Sequence, residues 1–154
     1  MNGPYHDFFL LSCDDHAFSD YFQFLRHPDA LRLSDDLIWY LYDTLSWIPT
    51  INPARDNEPH LGLCLYGPTV IHTDGAKAAK SVFGGWAEIF SGGPETLTLR
   101  GLWTVVEGDP ADSGHYQELT VDRDELVSRL RRLFDFASQV LDSNGRYFIL
   151  HLGV

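Results

Sequence analysis

The sequence predicts a single α+β domain in which helices pack on a mostly antiparallel or mixed sheet. Three patterns support this: a long amphipathic segment near the carboxyl end, an alternating hairpin pattern before it, and an almost wholly apolar terminal segment. The chain has 154 residues, 44% of them hydrophobic, which is enough for one core. It shows no repeat and no linker, so we expect one domain over residues 1–154.

The clearest helix is expected over residues 123–142. Asp122 and Glu125 form an Asp-x-x-Glu capping box at its start, and Asn144-Gly145 follows its end. Its apolar positions recur at helical spacing: Leu126, Val127, Leu130, Leu133, Phe134, Ala137, Val140 and Leu141. The nearly all-apolar segment 146–152 then predicts a strand covered on both faces, in the centre of the sheet.

A hairpin is expected ahead of this helix. Apolar and polar side chains alternate from Thr96 to Glu107, and His115 to Val121 returns after a loop rich in Gly, Pro and Asp.

Three more helices are predicted from caps and periodicity. They cover residues 16–26, capped by Asp15, 35–47, capped by Ser34, and 74–91, capped by Thr73 or Asp74. Gly84-Gly85 inside the last one costs roughly 1 kcal/mol per glycine relative to alanine. Such a pair predicts either a bend or another element that passes close by.

The remaining strand signals are shorter. The apolar run 8–11 predicts an edge strand or the lead into a helix, and residues 60–66 predict a strand that ends in a Gly67-Pro68 turn. Residues 47–53, with two prolines, predict an extended segment.

Charge limits the classes of partner. The chain holds 22 acidic and 11 basic residues, a net charge of −11, and residues 1–60 alone carry −7. This disfavours nucleic acid and anionic membranes as partners, because phosphate groups require a positive surface. It favours either a basic protein partner or a generally acidic cytosolic surface.

Nothing in the sequence predicts a cofactor. Cys13 and Cys64 stand alone, so buried, reduced thiols are expected. Cys13-Asp14-Asp15-His16 lacks the second ligand pair of a zinc site, so no metal is expected. Met1 to Asp7 has no basic region and no apolar run approaches about 20 residues, so a cytoplasmic protein is expected.

Two candidate catalytic or ligand sites have ordinary structural explanations. Thr73-Asp74-Gly75 is either an anion-binding turn or a plain helix start, and a single glycine favours the helix start. Cys64, His72 and His151 are candidates for a Cys/His site if the fold brings them together, which the spacing alone does not require. His151 is also typical of a hydrogen-bonded histidine on a central strand.

The most distinctive surface is predicted on the 35–47 helix. Asp36, Tyr40, Asp43 and Trp47 lie within about 60° of one another around its axis, away from an apolar stripe that begins at Leu37. Aromatic side chains are enriched at interface hot spots, and carboxylates select Arg and Lys. These four residues therefore predict a partner-binding face, unless Tyr40 and Trp47 are buried under a neighbouring segment.

Several segments resemble those of immunity proteins from bacterial polymorphic-toxin and contact-dependent inhibition systems. They are the 37–42 helix, Gly101-Leu-Trp103, Asp122 to Leu126, and the terminal strand ending His151-Leu-Gly153. The resemblance implies a small acidic cytosolic domain that neutralises a cognate toxin, often a nuclease, by covering its active site. No family motif matches residue for residue, so no site residue is transferred.

We therefore expect a non-enzymatic protein that binds a basic protein partner and is a monomer or a homodimer. The alternatives are a small hydrolase or small-ligand-binding domain with a Cys/His site, and a structural subunit that dimerises through the aromatic face.

Overall fold

A computed structural model describes residues 3–154 of the chain. Met1 and Asn2 lie outside the described residues. They are the first two residues of the Met1 to Asp7 segment, in which no basic region is expected. Residues 3–154 form eight strands, three α-helices and two 3-10 helices. The strands are β1 Tyr5–Ser12, β2 Leu31–Ser34, β3 Pro49–Asn52, β4 Glu58–Leu61, β5 Pro68–Ile71, β6 Thr96–Thr104, β7 His115–Asp122 and β8 Tyr147–Leu152. The α-helices are α1 Asp35–Leu45, α2 Thr73–Ser91 and α3 Arg123–Asp142, and the 3-10 helices are Phe18–Phe24 and Ala111–Ser113.

Six strands form one sheet in the order β2-β1-β8-β5-β3-β4, and every neighbouring pair is antiparallel. The α+β prediction is confirmed. β8 lies between β1 and β5, and all its residues except Tyr147 are buried, which confirms the prediction of a central strand. The alternatives for residues 8–11 are wrong, because they belong to β1, an interior strand paired on both sides.

The two faces of the sheet are covered differently. On one face, strand residues such as Phe8, Ile71 and Ile149 pack in a core with all three α-helices. On the other, Phe148 and Leu150 belong to a smaller core covered by the 3-10 helix Phe18–Phe24. The sheet is therefore the middle layer of three, and alternate residues of β8 serve opposite cores.

The 3-10 helix replaces the helix predicted over residues 16–26. It starts after Ala17, whose backbone N–H donates to the Asp20 carboxylate. The N-cap is therefore Ala17, and the expected cap at Asp15 is wrong. The helical spacing of Phe18, Phe22 and Leu25 predicts that these three side chains form the buried side of that helix, but Phe22 and Leu25 are exposed and Phe24 is buried instead. The three-residue turn of this helix presents a different set of side chains to the sheet.

The strand predicted over residues 60–66 is mostly wrong, because only its first two residues belong to a strand. β4 ends at Leu61, Gly62 turns the chain with a φ of +78°, and the expected Gly67-Pro68 turn instead leads into β5. Residues 62–67 form a loop. The backbone N–H of Cys64 holds this loop against β5 by donating to the Thr69 hydroxyl at 2.8 Å. A positive φ favours glycine, and this change of backbone conformation ends the strand at Gly62.

The predicted helices 35–47, 74–91 and 123–142 correspond to α1, α2 and α3. The Ser34 hydroxyl accepts from the Leu37 N–H, and the Asp122 carboxylate accepts from the Glu125 N–H, as the caps predict. The cap predicted for α2 at Thr73 or Asp74 is wrong. His72 occupies the N-cap position, and its side chain makes no capping hydrogen bond.

The predicted hairpin is confirmed. β6 and β7 form a separate antiparallel pair that runs from Thr96 opposite Asp122 to Thr104 opposite His115. Leu97 and Leu119 are its buried residues, and Leu97 packs in the core that contains the three α-helices. In the far half of the hairpin, Leu102, Trp103 and Tyr116 are exposed.

Candidate functional site

The predicted face, Asp36, Tyr40, Asp43 and Trp47, lies on the protein surface. α1 begins after the Ser34 cap, and burial of its apolar stripe, Leu37, Ile38, Leu41 and Leu45, in the core sets the rotation of the helix about its axis. All four residues of the predicted face are exposed in consequence. The alternative in which a neighbouring segment buries Tyr40 and Trp47 is therefore wrong. We call these four residues the acidic-aromatic face.

Trp47 departs slightly from the prediction. α1 ends at Leu45, and Trp47 lies in the following turn, where its N–H donates to the Thr44 carbonyl at 3.1 Å. Its side chain is 67% exposed, which makes it a large apolar surface that the fold leaves in water.

Tyr40 has a partly structural role. Its ring packs against Trp86 and Phe90 of α2, at centroid distances of 5.9 and 6.2 Å, and it remains 36% exposed. The Trp86 indole N–H donates to the Thr44 hydroxyl at 2.8 Å. These contacts join α1 to α2, so Tyr40 is the rigid member of the face.

An apolar depression of about 440 Å³ lies beside the face, between α1 and α2. We call it the α1/α2 groove. It is lined by Thr44, Trp47, Ala78, Ser81, Val82, Gly85, Trp86 and Ile89. Ile89, like Trp47, is largely exposed, at 64%. Exposed aromatic and aliphatic side chains around a concave surface are typical of protein-binding sites.

The carboxylates of the face are available to a partner. Within residues 3–154, neither Asp36 nor Asp43 forms an ion pair, whereas Arg32 is paired with Asp7 and Arg129 with Glu125. Unpaired exposed acids generate a negative potential that attracts cationic side chains.

A buried polar network, only partly foreseen from the sequence, lies on the helix-facing side of the sheet. His6 of β1 and His151 of β8 are both fully buried, with His6 Nδ1 2.7 Å from His151 Nε2. His6 Nε2 lies 2.8 Å from the Asp35 carboxylate at the start of α1, and His151 Nδ1 lies 3.2 Å from the Thr69 hydroxyl of β5. The prediction of a hydrogen-bonded His151 on a central strand is confirmed.

The network has one consistent direction of donation when both rings are neutral. The Asp35 carboxylate can only accept, so His6 Nε2 donates to it and His6 Nδ1 accepts from His151 Nε2. His151 Nδ1 then accepts from the Thr69 hydroxyl, which accepts in turn from the Cys64 N–H. Every group is satisfied, as a buried polar network requires.

Burial keeps both rings neutral. It lowers the pKa of His6, although the neighbouring Asp35 carboxylate opposes the shift. Burial, reinforced by repulsion from His6, lowers the pKa of His151 well below its usual value. Desolvation disfavours a buried cation, so the network prefers its uncharged state.

The fold does not bring Cys64, His72 and His151 together. Cys64 reaches His151 only through its backbone N–H and the Thr69 hydroxyl. His72 lies three residues beyond Thr69, roughly 10 Å along the strand. Its Nε2–H donates to the Gly145 carbonyl at 2.9 Å and its ring packs on Phe18.

A larger depression of about 760 Å³ surrounds the start of α2, where His60 and His72 both line it. Thr73, Asp74 and Gly75 also line it. A Cβ on Gly75 would lie 2.0 Å from the Pro49 carbonyl oxygen, so close packing of α2 on β3 explains this glycine. The Thr73-Asp74-Gly75 segment is a helix start.

The cysteines and their neighbours are separated. Cys13 and Cys64 are both free thiols, Cys13 exposed and Cys64 half-buried, so the expectation of two buried thiols is wrong. His16 packs on Phe24, and Asp14 pairs with Arg146. In the described part of the chain, no three His, Cys, Asp or Glu residues are placed to hold a metal ion.

The chain matches no family model, no curated protein and no solved structure. Among residues 3–154, no helix has the combined length and apolarity that crossing a bilayer demands.

Proposed function

We propose that this protein is a non-enzymatic binding protein whose partner is a basic protein, and that the acidic-aromatic face is the contact surface. The observation that carries the proposal is that Asp36, Tyr40, Asp43 and Trp47 are all surface residues, with Tyr40 36% and Trp47 67% exposed, next to an apolar groove.

The two kinds of side chain have different roles in this proposal. Trp47 and Tyr40 supply the apolar area that is removed from water on binding, and large aromatic side chains dominate the affinity of many interfaces. Asp36 and Asp43 steer and orient a cationic partner, an effect strengthened by the net charge of −11. Because Tyr40 is already held by Trp86, its ordering on binding costs little entropy.

We further propose that the partner is a toxin and that this chain is its immunity protein, acting in the bacterial cytoplasm. The resemblance of the 37–42 helix and the terminal strand to that class supports this, as does the acidic charge. A nuclease that binds nucleic acid through a basic cleft presents the surface that an acidic face complements. A monomeric inhibitor fits this role better than a homodimer that covers its own aromatic face.

The test is capture of the partner from a lysate of the source organism at low salt and at about 0.5 M salt, where surface charge pairs are screened. Asp36→Lys combined with Asp43→Lys should abolish capture. The matched control is Asp135→Lys combined with Asp142→Lys, two exposed acids with the same i, i+7 spacing on α3.

If only the Asp36→Lys, Asp43→Lys variant fails to capture a single stoichiometric basic partner, the acidic-aromatic face is supported as the contact surface. Equal capture by both folded variants would show that the face is wrongly assigned. Equal loss in both would show that net charge, and not this face, selects the partner.

The second candidate function is small-ligand binding at the depression around His60 and His72, which its volume of about 760 Å³ favours. The hydrolase alternative centred on His151 has no such support, because that ring is fully buried. Ring-proton NMR signals of His60 and His72 that shift with a bound metabolite would favour the ligand function, and loss of that shift in His60→Ala would localise it.

A further inference from the structure

The buried histidine pair is connected to the protein surface through loop 62–67. His151 Nδ1 lies 3.2 Å from the Thr69 hydroxyl, and the Cys64 N–H donates to the same hydroxyl at 2.8 Å. His151 and Thr69 are buried, whereas Cys64 is half-buried. A change at the His151 ring is therefore transmitted to the loop through one hydroxyl group.

Loop 62–67 carries an exposed aromatic side chain and binds the segment that follows β8. Tyr66 is 78% exposed. The Gly153 N–H donates to the Gly67 carbonyl and the Val154 N–H donates to the Leu65 carbonyl, each at 2.9 Å. Release of the loop from β5 would therefore move Tyr66 and disturb both of these backbone bonds.

The groups around the pair place a positive charge on His6 in preference to His151. Asp35 bonds the His6 ring from the start of α1, and Asp7 follows His6 in β1. Both acids raise the pKa of His6 against the effect of burial, whereas repulsion from His6 adds to the effect of burial on the pKa of His151. On its β5 side, His151 faces the uncharged Thr69 hydroxyl. Within residues 3–154, no other charged group shifts either ring.

Uptake of one proton from water rearranges the donors of the whole network. A charged His6 donates from Nε2 to Asp35 and from Nδ1 toward His151. His151 Nε2 lies 2.7 Å from that second N–H, so it must accept, and His151 then carries its own proton on Nδ1. The Thr69 hydroxyl now accepts from His151, and its own hydrogen has lost its acceptor. A buried donor without an acceptor is costly, so a further bond must change.

We propose that uptake of one proton by the His6–His151 pair releases loop 62–67 from β5, because the tautomer change at His151 breaks the bond between the Thr69 hydroxyl and the Cys64 N–H. This device does not depend on the partner proposed above. The Cys64 bond is the one that opens, since both histidine rings are enclosed by the core, whereas water can replace the acceptor of a half-buried N–H. The hydroxyl can then rotate until its hydrogen also meets water.

The test is NMR of the nitrogen-15-labelled protein at about pH 7.5 and about pH 5, on either side of the ordinary pKa of histidine. Ring nitrogen signals report the charge and the tautomer of each histidine. Amide hydrogen exchange, corrected for the intrinsic effect of pH on exchange, reports the opening of hydrogen bonds. At the lower pH we expect a charged His6 and a His151 proton on Nδ1 in place of Nε2. The protection of the Cys64 amide should fall by at least about tenfold relative to that of the buried Leu130 in α3.

His6→Gln removes the titrating ring, while the amide can still donate at one end and accept at the other. In this variant we expect the protection of the Cys64 amide to change by less than about twofold between the two pH values. His60→Gln is the matched control, because His60 is an exposed histidine of β4, two positions before the loop and outside the pair. It should keep the fall of at least about tenfold.

Thr69→Val provides a second variant if His6→Gln does not fold. Without the hydroxyl, the Cys64 N–H has lost its acceptor at both pH values. We expect its amide to be weakly protected at both, so that the pH response is absent. Thr69→Ser keeps the hydroxyl and should keep the response.

Unchanged protection of the Cys64 amide overturns the proposal, as does a His6 ring that stays neutral or a His151 ring that keeps its proton on Nε2. An equal fall at Leu130 also overturns it, because the whole domain then opens and not the loop alone. A pH response that persists in His6→Gln, or that disappears in His60→Gln, assigns the effect to another group and rejects the pair.

Discussion

His6 Nδ1 and His151 Nε2 lie 2.7 Å apart in the buried interior, although 145 positions separate them in the chain. Two neutral imidazoles form this bond only when one ring donates and the other accepts. Asp35 fixes the direction, because its carboxylate accepts from His6 Nε2. Protonating His6 would place two N–H groups face to face unless His151 changed tautomer. The new tautomer would then donate toward the Thr69 hydroxyl, whose own proton would lose its acceptor.

We predict that acid below pH 6.5 destabilises the fold through this pair. The folded-state pKa values of both His6 and His151 are lowered from 6.5, so below that pH the unfolded chain binds more protons. Stability is therefore retained above pH 6.5 and is lost as the pH falls toward the folded pKa values. Urea unfolding at pH 7.5 and 5.5 should differ by on the order of 2 kcal/mol.

The control for this prediction is His151→Gln. A glutamine can donate to His6 and accept from Thr69 without titrating, so the variant should show a smaller difference between the two pH values. A pH dependence identical to that of the wild type would show that other groups cause the acid sensitivity.

Removing the Thr69 hydroxyl should destabilise the protein. Thr69→Val keeps the shape of the side chain but leaves His151 Nδ1 and the Cys64 N–H without partners. We expect a loss of about 2 kcal/mol, because unsatisfied buried polar groups cost roughly 1–3 kcal/mol each. Thr69→Ser keeps the hydroxyl and should cost less in the same denaturation experiment. A smaller loss for Val than for Ser would contradict the network.

The two glycines of α2 should respond differently to alanine. Gly85→Ala enters open space and should raise the free energy of unfolding by about 0.5–1 kcal/mol, since alanine favours helix. Gly84→Ala should show no gain, because its methyl group would displace the Phe134 ring. Thermal melts of both variants test this, and equal stabilisation would show that Phe134 moves aside freely.

Binding and stability should separate at Trp47 and Trp86. Trp47→Ala should change the free energy of unfolding by less than about 0.5 kcal/mol, because the side chain is 67% exposed. It should nevertheless weaken partner binding by at least about tenfold, as hot-spot aromatics do.

Trp86→Ala is the contrasting variant. It removes the contacts with Tyr40 and Thr44 and should cost about 2 kcal/mol of stability. Titration calorimetry and urea unfolding on both variants separate the two effects. A stable Trp47→Ala protein with unchanged affinity would exclude Trp47 from the interface.

Much of the candidate surface follows from one helix. The Ser34 cap predicts where α1 begins, and the apolar spacing from Leu37 to Leu45 predicts which side of it is buried, so the exposure of Asp36 and Asp43 was predictable. The groove was not predictable, because it requires the position of α2 beside α1. Sequence reasoning also missed His6, whose only local signal is a polar residue two positions before the buried Phe8 of the same strand.

The sequence alone determined the elements whose signals are local: α1 and α3 with their caps, the β6–β7 hairpin, and the buried central strand β8. Caps, periodicity and alternation act between residues a few positions apart, so they are legible in one dimension. Only the tertiary structure decided which distant residues meet. The strand order β1-β8-β5 aligned His6, His151 and Thr69, and the packing of α2 against α3 distinguished Gly84 from Gly85. Such contacts depend on how whole elements pack, and no local pattern specifies that arrangement.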